Sequence, residues 1–186
     1  EALLRRLSES GMLRANARHA VPAVPLRVGV VTSVGSAAHA DITTVFERSE
    51  RAFTLVEVDT AVQGAGAERS IAAAIRAAGE AGVDVVLVVR GGGSKTDLAV
   101  FDHADVADAI VHAPIPVFTG IGHDIDHSVA DEVAHTAHTT PTAAAQAIVA
   151  VVDDWLARGV GVRVDGTEEG GSRLGVWRAG GGEKVS

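Results

Sequence analysis

Residues 83–94 read V-D-V-V-L-V-V-R-G-G-G-S. The run from Val83 to Val89 is short, continuous and β-branched, the pattern of a strand buried on both faces of a parallel sheet. It ends at an arginine followed by three glycines and Ser94, which stop the strand and let the backbone turn tightly. Working outward, Leu26 to Thr32, Phe53 to Val58 and Ile115 to Thr119 repeat the same kind of run. Between these runs lie helical patterns over Ala37 to Arg51, Ala67 to Ala81 and Asp97 to Val111, each long enough for a crossover helix. Two further helices are expected over Asp126 to His135 and Pro141 to Ala157. Strand alternating with helix predicts an α/β fold: a doubly wound, mainly parallel sheet of four or more strands, Rossmann-like, with right-handed crossovers and helices on both faces.

The flanks divide the chain into three. Residues 1–25 read as a helical lead-in, with Leu3, Leu4, Leu7 and Leu13 among arginines, followed by the proline-containing linker Val21 to Pro25. Residues 26–157 form the α/β core. From 158 to 186 the pattern fails, nine of the last twenty-eight residues being Gly, and a flexible tail is expected. The chain begins with Glu1 rather than Met, so a piece of something longer is expected. It has 186 residues, 47% of them hydrophobic, enough for one sizeable core. There is no cysteine, which removes disulfides, thiolate metal sites and a cysteine nucleophile and fits a reducing, cytoplasmic setting. No apolar run is long enough to cross a bilayer, and no membrane partner is expected. The net charge is −8, and residues 34–152 alone hold six basic against sixteen acidic side chains. Such a core does not attract nucleic acid electrostatically by itself.

In an open parallel sheet the loops leaving the carboxyl ends of the strands form the ligand crevice. Here those loops carry T-S-V-G-S-A-A-H-A-D after strand one, D-T-A-V-Q-G after strand two, R-G-G-G-S-K-T-D-L after strand three and G-I-G-H-D-I-D after strand four. Gly91, Gly92, Gly93 and Ser94 let backbone amides approach an anion, and Arg90 adds a guanidinium suited to gripping phosphate. The bland alternative is a tight turn that needs positive φ. His123 and Asp126 are three positions apart and meet if the chain turns into a helix, giving an oriented imidazole for proton transfer. Otherwise Asp126 only caps that helix. Asp41 follows a loop whose Thr32, Ser33, Gly35 and Ser36 offer hydroxyls and amides to phosphate oxygens, although it equally suits a first-turn helix dipole. His123, Asp124, Asp126 and His127 also make a candidate metal cluster for Mg²⁺, ranked below a metal-free site that requires no cofactor. His39, His103, His112, His135 and His138 are assigned to the surface or to supporting positions.

Taken in order, G-V-V-T-S-x-G-S-A-A-x-x-D-I, A-V-Q-G, D-V-V-L-V-V-R-G-G-G-S-x-x-D-L, F-D, P-I-P-V-F-T-G-I-G-H-D-I-D and T-P-T-A-A-A resemble the exodeoxyribonuclease VII large-subunit family, from about Leu3 to Val151. No single motif is specific; their joint order is. The resemblance implies exonucleolytic hydrolysis of single-stranded DNA from either end to short oligonucleotides, without dependence on added metal. It also implies partnership with several copies of a small helical subunit. The family's essential Asp, Arg, His and Asp fall on Asp41, Arg90, His123 and Asp126, the residues already gathered at the strand ends. Departures are Thr96 in place of the acidic residue of R-G-G-G-S-x-E-D-L, Asp124 in place of the Glu after the motif histidine, and Ala137 to Pro141 in place of an R-A-P-T-P-type segment. The family's oligonucleotide-binding barrel has no counterpart in these residues, and the chain after Trp155 does not resemble its coiled coil. The runner-up is a non-catalytic module that binds a nucleotide or sugar phosphate in the same crevice.

Overall fold

Strand alternation splits the apolar residues between two cores, one on each face of the sheet. In β1 (Arg27–Thr32) Val28 and Val30 face one side and Val31 the other; in β3 (Val85–Val89) Val85, Leu87 and Val89 oppose Val86 and Val88. In the computed structural model, which describes residues 2–91, 95–122, 127–158, 161–166 and 172–177, these strands pair in parallel with β2 (Thr54–Asp59), β4 (Val117–Gly120) and β5 (Thr136–His138). The order is β2-β1-β3-β4-β5, with Val31 opposite Val58 and Val88, and Gly120 opposite Val89 and His138. The expected doubly wound α/β fold is therefore present. The winding reverses between β1 and β3, which puts the ligand crevice at their carboxyl ends.

Helices α2 (Ala37–Arg48) and α6 (Pro141–Ala157) cover the first face through Ala38, Ile42, Phe46, Ala144, Ala145 and Ile148. The second face carries α3 (Ala67–Glu80), α4 (Ala104–Val111) and α5 (Val129–Val133). The helix starts have local causes. Ser36 and Thr140 each accept an amide three residues on, Pro141 opens α6, and Ser128 with Asp131 forms a capping box for α5.

The lead-in helix α1 (Ala2–Glu9) lays Leu3, Leu4 and Leu7 against the second core. Beyond it, Asn16 is fully buried in a short 3₁₀ turn. Its Nδ2 donates to the carbonyls of Ile110 and Ile115 at 3.0 and 3.1 Å, and its Oδ1 accepts from the Val117 amide at 2.9 Å. Three bonds satisfy this buried amide and fasten the lead-in to the turn that feeds β4.

Two expectations change in detail. The third crossover is not one helix: Lys95–Asp102 is 3₁₀ and α4 starts anew, because His103 adopts extended backbone and its Nδ1 accepts from the Asp105 amide at 3.3 Å. The helix expected from Asp126 to His135 is reduced, among the described residues, to the five of α5, and the chain then adds β5 to the sheet edge. Within 158–186, β6 (Gly161–Gly166) and β7 (Ser172–Trp177) pair antiparallel, Gly161 opposite Trp177. No helix among the described residues is long and apolar enough to cross a membrane.

Candidate active site

At the end of β1 the chain turns through Ser33 to Ser36, closed by the Ser36 amide on the Ser33 carbonyl at 3.1 Å, with Gly35 at φ +81°. That left-handed φ at the third turn position calls for glycine. Two amides of the turn are occupied. Val34 donates to Asp59 Oδ1 at 2.9 Å and Gly35 to His39 Nδ1 at 3.2 Å, while His39 Nε2 lies 2.8 Å from Glu57 Oε1. The next amides, those of Ala37 and Ala38 in the first turn of α2, reach no acceptor among the described residues. Gly91 lies beside them: a Cβ there would stand 3.5 Å from Ala38 Cβ and 3.6 Å from its nitrogen. Open amides at a helix N-terminus next to a glycine form a seat for an anion.

Arg90 follows β3 and is only 4% exposed; its amide continues the ladder to the Gly120 carbonyl at 3.3 Å. Strand alternation places its side chain on the face of Val86 and Val88. Asp41 is on the other flank, exposed in the second turn of α2, at the edge-proximal end of an open groove of about 550 Å³ between α2 and α6. Thr44, Arg48, Thr142 and Gln146 line the same groove, and the Arg51 to Asp153 ion pair at 2.9 Å ties its distal end. Of the expected residues, Ser33, Asp41, Arg90 and Gly91 are thus at the carboxyl edge or open toward it; Gly92, Gly93, Ser94, His123 and Asp126 lie outside the described residues.

The far end of the loop after β4 is anchored by a group that sequence reasoning missed. Asp131, 7% exposed, accepts from Thr119 Oγ1 at 2.6 Å and from the Ser128 hydroxyl and amide at 2.8 and 3.1 Å. The Val129 amide donates to Asp102 Oδ1 at 2.8 Å. The signal available was Ser128-x-x-Asp131, a helix-start spacing immediately after the histidine motif. His135 and His138 both stack on Phe118, with ring centroids 5.5 and 6.5 Å away. Burial holds both imidazoles below the ordinary histidine range; for His135 a hydrogen bond to the His19 carbonyl pulls the other way. Among the described residues, Thr32 Oγ1 and His138 Nε2 at this edge are buried and reach no hydrogen-bond partner.

Among the described residues no three His, Asp or Glu side chains gather in a metal-binding group. Four of the five positions from His123 to His127, the cluster weighed for Mg²⁺, lie outside the described residues.

Relatives are numerous. The chain is 40% identical over 149 residues to the exodeoxyribonuclease 7 large subunit of Thermotoga maritima, covering 80% of this chain and 38% of that protein. It is 43% identical over 152 residues to the namesake from Thiobacillus denitrificans, covering 81% and 34%, and 43% identical over 150 residues to that from Desulforudis audaxviator, covering 80% and 37%. The chain thus spans little more than a third of the length of these curated relatives. The family model described as exonuclease VII, large subunit, matches residues 12–170, which include the whole five-stranded sheet and both flanks of the crevice. With the strand-end residues in the expected order along that match, the chain belongs to the exonuclease VII large-subunit family.

Proposed function

We propose that this chain is the catalytic core of a nuclease that hydrolyses phosphodiester bonds of single-stranded DNA, from either end, to short oligonucleotides. It would act in the cytoplasm, assembled with several copies of a small subunit. The observation that carries the reading lies at the switch point: the amides of Ala37 and Ala38 reach no acceptor among the described residues, and Ala38 lies beside Gly91, which follows the buried Arg90, in a chain of this family.

In the proposed mechanism Arg90 and the Gly91 to Ser94 segment hold the scissile phosphate and neutralise charge that develops as water attacks phosphorus. Electrostatic stabilisation is the main contribution in this mechanism. His123, oriented by Asp126, transfers a proton to or from the water or the leaving oxygen. Asp41 positions the water or His123. No metal takes part in these steps.

Cleavage of end-labelled single-stranded DNA by the assembled large and small subunits tests the reading, with EDTA and Mg²⁺ lanes deciding the use of metal. Labels at the 5′ and at the 3′ end, in parallel, decide polarity. Arg90→Ala and His123→Ala are each expected to lower cleavage about a hundredfold or more with the fold intact. Unchanged cleavage in both variants removes the mechanism. The same amide seat also fits a free phosphate group, so no cleavage by the wild-type assembly, together with saturable mononucleotide binding, would replace the nuclease with the binding module.

A further inference from the structure

We propose that His39 is a positioning residue for the reacting phosphate: with Glu57 and Asp59 it sets the shape of the Ser33 to Ser36 turn and so the direction of the open Ala37 and Ala38 amides. This rests on the nuclease reading above.

Successive amides in such a turn form a concavity that itself attracts anions. Left open, the amides of Val34 and Gly35 would compete for the phosphate and draw it away from Gly91. Both are taken internally, by Asp59 Oδ1 at 2.9 Å and His39 Nδ1 at 3.2 Å. The Asp59 carboxylate also repels an anion approaching Val34. The imidazole acts through both nitrogens. Nδ1 accepts from Gly35, so the ring proton sits on Nε2 and donates to Glu57 Oε1 at 2.8 Å, which fixes the ring plane. His39 thus links α2 to β2 across the turn, and on this side of the crevice the Ala37 and Ala38 amides alone are left to meet the phosphate that Gly91 faces.

Three substitutions separate these links. His39→Asn keeps an acceptor near Nδ1, His39→Gln keeps a group able to reach Glu57, and His39→Leu keeps neither. The assay is steady-state cleavage of a labelled single-stranded oligonucleotide by the assembled subunits, with the thermal midpoint of each variant measured alongside. His39→Leu and His39→Gln are expected to lower kcat about tenfold or more while KM changes less than about twofold, because misplacement of the reacting group costs rate and a polymeric substrate holds on elsewhere. His39→Asn is expected to retain most of kcat. Wild-type kcat in His39→Leu, equal losses in the Asn and Gln variants, or losses that only track the thermal midpoints would overturn the proposal. An inactive wild-type assembly would instead sink the nuclease reading, and this inference with it.

Discussion

His138 shows what a single side chain costs and offers at this edge. It ends β5 beside Gly120, its ring lies near-parallel to Phe118, and its buried Nε2 has no partner among the described residues. A charged imidazole there loses hydration and gains no acceptor, so burial keeps its pKa, like that of His135, below the ordinary value. Well above the unfolded value both rings are neutral whether folded or unfolded and contribute little to pH dependence. As pH falls through the unfolded value of about 6.5, the unfolded chain binds protons first, and stability drops until the folded values are reached. The thermal midpoint is therefore expected to fall from about pH 7.5 to about 5.5, and to fall less in His138→Phe, which keeps the stack but cannot be protonated. Equal slopes for the two proteins would show that His138 is not a source of acid sensitivity. Residue chemistry of this kind was only partly legible in the sequence. Asp41 and Arg90 stood out because they follow strands. Asn16, whose partners are 94 to 101 residues away, and the His39 to Glu57 pair depend on contacts that no local spacing announces.

At the scale of elements, Gly120 decides how closely α6 can approach β4. A Cβ there would stand 2.8 Å from the Thr140 carbonyl oxygen and 3.0 Å from both Pro141 Cα and Ala144 Cβ. Two of those three atoms are backbone, so no side-chain rotation relieves the clash. Gly120→Ala must push the first turn of α6 outward, at a cost of about 1–3 kcal/mol typical of overpacking. A loss of several degrees in the thermal midpoint is expected, together with displaced amide resonances at Thr140 to Ala144; a midpoint within about one degree of wild type would show that the contact yields. The same packing explains which elements could be read beforehand. The inner strands β1, β3 and β4 announce themselves as apolar runs because both their faces are covered. Thr136-Ala137-His138 carries no such run, since an edge strand of three residues is buried mainly through its neighbour, and it was missed. The break at His103 was missed as well, because a histidine acting as a helix cap has no strong sequence signature.

The whole molecule adds a constraint that neither residues nor elements reveal. Its net charge is −8, yet its proposed substrate is a polyanion. What stands at the crevice edge is backbone amides of the first turn of α2 and a buried arginine rather than a basic surface, and the groove at Asp41 is lined by Arg48 together with Asp41 and Asp153. Binding by counterion release needs many cations along the strand, each contributing about −0.7 to the slope of log K against log salt for single strands. With no more than about two cations of so acidic a core reaching the strand at once, the chain alone is expected to bind a single-stranded oligonucleotide weakly, with a slope no steeper than about −1.4. Fluorescence anisotropy titrations at several salt concentrations measure this directly. A slope of −4 or steeper, as an order of magnitude, would require an extended basic path along the chain and would contradict the charge distribution. A shallow slope assigns this core the placement of one phosphate, and leaves retention of the strand to basic surface elsewhere in the assembly. Cleavage by the assembly should then fall with added salt far more steeply than binding by this chain does.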